Sequence, residues 1–255
     1  FYFSSFFFKY FIINLYKIAL RKSSLIFFQN EHDKIFFLNK KIIKFQKNQV
    51  INGSGVDINL YPYTQLPKKI NSNLIFSFIS RLIIDKGVME FIEAAKIIKN
   101  KYPDVSFNIV GKLDASNSKS LNQDFFDQHL KENVFNYFKF EKNILPFIQK
   151  SDCIILPSYR EGASKILLES ASVGRPLIAA NVPGCNNIIT DNFNGYLCKV
   201  KDYNNLAHYM EKMINLSHEE RSDMGKNGRK IIEDKFDINL VNSEIIMHIK
   251  NLYSI

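Results

Sequence analysis

From residue 74 onward, short continuous apolar runs alternate with stretches whose apolar positions recur every three or four residues. The runs LIFSFISR (74–81), VSFNIVG (105–111), VFNYF (134–138), CIILPS (153–158), PLIAA (176–180) and YLCKV (196–200) predict strands. Runs without polar alternation suit strands buried on both faces. Between them, residues 87–102 put Val88, Phe91, Ile92, Ala95 and Ile98 on one face and predict a helix. Further helices are expected at 119–132, at 144–151 with Pro146 near its start, at 163–174 closed by Gly174, and as a short turn of helix at 183–190. Three more, at 203–215, 218–234 and 237–253, close the chain. Earlier, VING (50–53) reads as a short strand running into the turn Gly53-Ser54-Gly55. DASNSKS (114–120) reads as a polar loop, and the softest boundary is 59–73, where two prolines and polar residues interrupt the pattern. Strands alternating with helices of this length predict βαβ units and an α/β fold built on a parallel sheet with helices on both faces. In such folds ligands bind outside the carboxyl ends of the strands.

Length and composition narrow the class. The chain has 255 residues, 46% hydrophobic and 23% charged, the balance of a globular protein with a sizeable core. Cys153, Cys185 and Cys198 form no CxxC pair, which argues against a zinc ribbon or a disulfide framework and suits a reducing compartment. The net charge of +9 is uneven. Residues 1–50 hold nine Lys/Arg, two acids and 14 of the 35 aromatics, whereas residues 51–255 are nearly neutral. Three explanations fit the basic, aromatic start: a surface for nucleic acid, a membrane surface, or a helical piece that packs on a partner. The near-neutral remainder carries no nucleic-acid motif, so no nucleic acid is expected. The first 20 residues are too interrupted, at Lys9, Asn14 and Lys17, for a transmembrane span, and they lack the layout of a signal peptide.

The strand ends carry the candidate chemistry. After 74–81 come Arg81 and then Asp85-Lys86-Gly87 at a helix start. Two fixed cations beside a helix N-terminus suit a diphosphate, with surface charge capping a turn as the alternative. After 153–158 come Glu161, Gly162, Ala163 and Ser164, and Glu169 lies eight residues beyond Glu161 in the following helix. The small residues allow close approach of a ligand, and the two carboxylates can accept hydroxyl hydrogen bonds from different parts of it. A polyol attached to phosphate fits; a helix-surface carboxylate is the alternative for Glu169. Asn181-Val182-Pro183-Gly184 and Gly53-Ser54-Gly55 are further open turns. There is no GxxxxGK[ST], no HExxH and no DxD, and the five His show no metal-ligand spacing. No metal site and no cofactor are expected.

With those residues in view, INGSGVDINLY, FISRLIIDKG, VGKLD and SDCIILPSYREGASKILLESASVGRPLIAANVPGCNNIITDNFNGYL resemble the donor-binding domain of GT-B glycosyltransferases of family four, also called glycosyl transferases group 1. The resemblance covers about residues 24–255. The turns GSGVD, SYREG and VPGC are similar to the subgroup that adds N-acetylhexosamines to polyprenyl-linked oligosaccharides. The resemblance implies a Rossmann-like fold with domains at 1–49 (helical remnant of an acceptor-side domain), 50–235 (nucleotide-sugar binding) and 236–255 (a helix packing back toward the N-terminal part). It implies a retaining, metal-independent hexosyltransferase of surface polysaccharide or lipopolysaccharide synthesis. The expected partners are a UDP-linked donor, a polyprenyl-linked or glycan acceptor and a membrane surface, with the protein at the cytoplasmic side of the membrane. In the roles it implies, Arg81 and Lys86 neutralise the donor diphosphate and Glu161 holds sugar hydroxyls. Glu169 holds the ribose, amides at Gly162, Ala163 and Ser164 face phosphate or sugar, Gly55 lies near the phosphates, and Lys112 and Leu113 lie by the base. The family's N-terminal Gly-rich loop and catalytic His have no counterpart, so the chain is expected to be truncated at its start. A donor-binding fragment without transfer activity is the alternative.

Overall fold

The computed structural model describes residues 2–44, 47–68, 73–113 and 119–253. The expected loop at 114–120 and the boundary at 59–73 therefore lie partly outside the described residues.

The chain opens with helix α1 (Tyr2–Ala19), strand β1 (Leu25–Phe28), helix α2 (Glu31–Asn39) and strand β2 (Lys47–Val50). β1 and β2 pair in parallel, from Leu25 opposite Lys47 to Phe28 opposite Val50. This is a small βαβ unit where a helical remnant is expected. The run LIFF is too short for its periodicity to separate strand from helix. The strand expected at 50–53 lies three residues earlier, because its polar positions alternate between half-buried and exposed on a two-stranded sheet. Ile26, Phe28, Ile42 and Ile43 form a small core against Ile13, Leu20, Phe36, Phe37 and Val50.

The rest is a six-stranded parallel sheet. Its strands are β3 (Ile75–Ile79), β4 (Ser106–Val110), β5 (Asn136–Phe138), β6 (Cys153–Leu156), β7 (Leu177–Ala180) and β8 (Gly195–Cys198). They lie in the order β5-β4-β3-β6-β7-β8. Counted within the sheet, this is the order 3-2-1-4-5-6 of doubly wound nucleotide-binding folds, with the reversal between β3 and β6. The connecting helices are α3 (Val88–Lys101), α4 (Gln123–Lys131), α5 (Leu145–Lys150) and α6 (Lys165–Ser172), followed by α7 (Tyr203–Asn215), α8 (His218–Lys235) and α9 (Ile238–Tyr253). Right-handed crossovers running in opposite directions from β3 and from β6 put α3 and α6 on opposite faces. α7 packs on α3 and α8 on α6, so both faces are covered. The consecutive residues Phe76, Ser77 and Phe78 are accordingly all fully buried.

The helix expected at 183–190 is a series of overlapping turns instead. Cys185 N–H donates to Val182 O at 3.0 Å, but Gly184 has φ +82°, which no right-handed helix accommodates. A linker then ties the two sheets together. Val56 N–H donates to Phe236 O at 2.8 Å and Ile238 N–H to Val56 O at 3.0 Å, at the junction of α8 and α9. α9 runs back to the first sheet, where the His248 ring lies 6.1 Å from that of Phe27.

Candidate functional site

The reversal between β3 and β6 opens a cleft of about 380 Å³ at their carboxyl ends. Arg81, Lys86, Lys112, Glu161, Ala163, Ser164 and Glu169 all line it. Seven of the ten residues singled out in the sequence thus converge from three loops and one helix. Gly162 lies in the adjoining cleft, with Arg81, Lys86, Arg160 and Glu161. Leu113 packs against the core. Gly55 lines neither cleft. A Cβ there would sit 2.7 Å from the Ile238 Cα, so it serves the close approach of the linker to α9. Its neighbour Gly53 instead abuts Ala163.

Lys86 and Glu161 meet across the reversal. Lys86 ends a short 3-10 turn, Ile84–Lys86, and Gly87 follows with φ +76°. A Cβ at Gly87 would fall 2.1 Å from the Pro157 carbonyl oxygen, so only glycine lets the two loops approach this closely. Tyr159 N–H donates to Asp85 O at 2.9 Å, and the Ser158 hydroxyl donates to the same carbonyl at 3.1 Å. Lys86 Nζ then reaches Glu161 Oε1 at 2.5 Å, with both side chains largely buried. Arg81, by contrast, is exposed at the mouth. The arrangement sets one cation in a fixed ion pair and a second beside it in solvent, a geometry that can take a diphosphate.

Glu169 sits deeper, 4% exposed, one turn beyond Lys165, whose Nζ lies 3.8 Å from Glu169 Oε1. Burial pushes its carboxyl above the ordinary value, against the opposing pull of the Tyr61 hydroxyl and of Lys165. Tyr61 is in turn pushed up to about 12, by burial first and then by the Glu169 charge and hydrogen bond. Tyr61 is held in place through its carbonyl, which accepts from Arg229 Nη1 at 3.1 Å and from the Ser172 hydroxyl at 2.6 Å. The site therefore keeps one carboxylate in an ion pair and another under a phenol.

Of the three amides expected to face a ligand, that of Ser164 donates to Gly184 O at 3.1 Å. Gly184 presses on the loop from below, since a Cβ there would meet the Gly162 carbonyl oxygen at 2.5 Å. Phe140, Glu141 and Ile144, which line the cleft after β5, carry no motif in the sequence, and neither does Tyr61. Phe140 is 63% exposed, an apolar residue at a strand's carboxyl end, which is the one local signal that marked that loop.

Comparison with known proteins follows the same lines. The chain is 26% identical over 248 residues to the capsular polysaccharide biosynthesis glycosyltransferase CapM of Staphylococcus aureus, covering 93% of this chain and 64% of that protein. It is 28% identical over 217 residues to N,N'-diacetylbacillosaminyl-diphospho-undecaprenol alpha-1,3-N-acetylgalactosaminyltransferase of Campylobacter jejuni, covering 80% and 55%. The chain thus spans less than two thirds of the length of these relatives. The structure is similar to Anabaena Alr3699/HepE, solved in complex with UDP, with a TM-score of 0.78, 20% identity, and coverage of 91% of this chain and 65% of that one. At that identity the likeness is one of fold. Residues 64–231, about two thirds of the sequence, match the family model described as glycosyl transferases group 1, and the chain belongs to that family.

Proposed function

We propose that this chain carries the donor site of a glycosyltransferase that moves a hexose or N-acetylhexosamine from a UDP-linked donor to a lipid-linked or polysaccharide acceptor, with retention. The observation that carries the reading is the convergence of Arg81, Lys86, Glu161 and Glu169 on one cleft at the strand reversal. Negative charge grows on the leaving nucleotide diphosphate as the glycosidic bond breaks. Lys86, held by Glu161, and Arg81, beside it at the mouth, supply positive charge where that charge develops, which lowers the barrier. Glu161 accepts hydroxyls of the sugar and holds Lys86 in position at 2.5 Å. Glu169, oriented by Tyr61, accepts the ribose hydroxyls. Lys112 borders the base, at the end of β4. Retention follows if the acceptor hydroxyl attacks from the face the diphosphate leaves, and the same diphosphate oxygen can then take its proton.

The relatives support the chemistry. One neighbour was solved with UDP, one relative serves capsular polysaccharide synthesis, and another acts on a diphospho-undecaprenol acceptor. We read residues 1–49 as part of the acceptor side, 50–235 as the donor domain and 236–255 as the returning helix. Among the described residues no helix is long and apolar enough to cross a membrane. We read the contact with a membrane-borne acceptor as peripheral, at the cytoplasmic face. A second reading is that the chain binds the donor without transferring it alone, favoured by its covering 64% and 55% of those relatives.

Calorimetric titration with UDP and UDP-hexoses tests the site. Saturable binding is expected, weakened about tenfold or more, ~1.4 kcal/mol, by each of Arg81→Ala, Lys86→Ala and Glu169→Ala. No binding by the unaltered chain, or undiminished binding by all three variants, contradicts the reading.

A further inference from the structure

The loop that carries Glu161 is gripped from outside the six-stranded sheet. Asn30, between β1 and α2, is 1% exposed and lines neither cleft. Its Oδ1 accepts the Asp33 N–H at 2.8 Å and caps α2. Its Nδ2 donates to the Gly162 carbonyl at 2.9 Å, 132 residues away in the chain, and to Asp33 Oδ2 at 3.0 Å. Asp33 Oδ1 in turn accepts from Arg160 Nη2 at 2.8 Å. Gln29 closes the same side, since a Cβ at Gly162 would meet Gln29 Oε1 at 2.7 Å. Gly184 packs against the same stretch, where a Cβ would fall within 2.5–2.7 Å of the Gly162 and Glu161 carbonyl oxygens. Residues 160–162 are therefore held both by the loop and helix that follow β1 and by the Gly184 turn.

The carbonyl that Asn30 holds belongs to the peptide joining Gly162 to Ala163. In a planar trans peptide the C=O and N–H point in opposite directions. With the carbonyl fixed on Asn30, the Ala163 N–H is directed away from it, and Ala163 lines the donor cleft. The next amide, of Ser164, is committed to Gly184 O.

We infer that Asn30, supported by Asp33, is a positioning residue for the donor's distal phosphate and sugar: it orients the Gly162–Ala163 peptide so that the Ala163 amide donates into the cleft beside Glu161. This inference rests on the donor-site reading above. It also gives the two sheets a joint role, because the smaller one sets the geometry of the loop that the larger one carries.

The variant that isolates the contact is Asn30→Ser. Serine still caps α2 but is too short to reach the Gly162 carbonyl. The probes are UMP, which lacks the distal phosphate and sugar, and the tighter-binding of UDP-glucose and UDP-N-acetylglucosamine, all titrated by calorimetry. Asn30→Ser is expected to weaken the UDP-sugar about fivefold, the order of one net hydrogen bond, and to change UMP less than about twofold. Equal losses for both ligands, or no loss for the UDP-sugar, overturn the inference and leave the donor site standing. Failure of the unaltered chain to bind either ligand overturns both. If Asn30→Ser does not fold, Asp33→Asn serves. It turns one of the two oxygens that accept from Asn30 Nδ2 and Arg160 Nη2 into a donor, so that one of these links is lost, and a selective loss of about twofold to threefold for the UDP-sugar is expected. An equal loss for both ligands, or none, overturns the inference.

Discussion

The two sheets differ in how completely they bury what they carry. In the larger one, Phe76, Phe78, Phe91, Ile154, Ile155, Leu177 and Ile178 are fully buried, and helices cover both faces. In the smaller one the buried core among the described residues is Ile26, Phe28, Ile42 and Ile43, while α1 leaves Phe8, Tyr10, Phe11 and Ile18 between 58% and 73% exposed. The difference teaches where a site can be built. The larger sheet can hold Lys86 and Glu161 within 2.5 Å in a largely buried setting because its loops stand on a packed frame. The smaller unit contributes at the edge of that frame, through Asn30, which caps α2 and holds the Gly162 carbonyl, and Asp33, which holds Arg160.

The comparison breaks most readily in the cores. Phe78→Ala removes a fully buried ring and is expected to cost about 3–5 kcal/mol in urea unfolding. Phe28→Ala, in the small core, is expected to cost about 2 kcal/mol, because its surroundings collapse more easily into the space. Equal losses would mean that the small unit is as tightly packed as the large one.

A smaller effect sharpens it within the site. Burial holds the Glu169 carboxyl above its ordinary value of 4.5. As pH rises past that value the unfolded chain gives up its proton first, so Glu169 lowers stability increasingly above the ordinary carboxyl range. Glu169→Gln keeps an acceptor for Tyr61 and is expected to raise the melting temperature at pH 7. That gain should shrink as pH falls through the ordinary value and be gone below about pH 4, where the carboxyl is largely protonated in both states. A gain that persists below that pH would show that the cause is not ionisation.

Much of this frame is legible in the chain itself. The runs that became β3, β6 and β7 are nearly continuous and apolar because both their faces are covered, and that pattern survives any detail of packing. Arg81, Lys86, Glu161 and Glu169 stand out because strand ends and helix starts are local in sequence. The rest depended on approach between distant segments. β1 hid inside an apolar stretch, and the turns at 183–188 owe their shape to the φ of Gly184. Tyr61 meets Glu169, and Asn30 meets Gly162, only because the linker and α2 fold back over the sheet. No spacing rule in one sequence reports such contacts.

The central claim is that a nucleotide sugar occupies the strand reversal, between the loop after β3 and the loop after β6. Amide hydrogen exchange with and without saturating UDP-hexose tests it most directly. Slowed exchange is expected at residues 80–87 and 161–169, with no change in the polar cleft between residues 63–68 and the start of α8, which is lined by Tyr63, Gln65, His218 and Lys226. Protection confined to that second cleft, or none at 161–169, would contradict it.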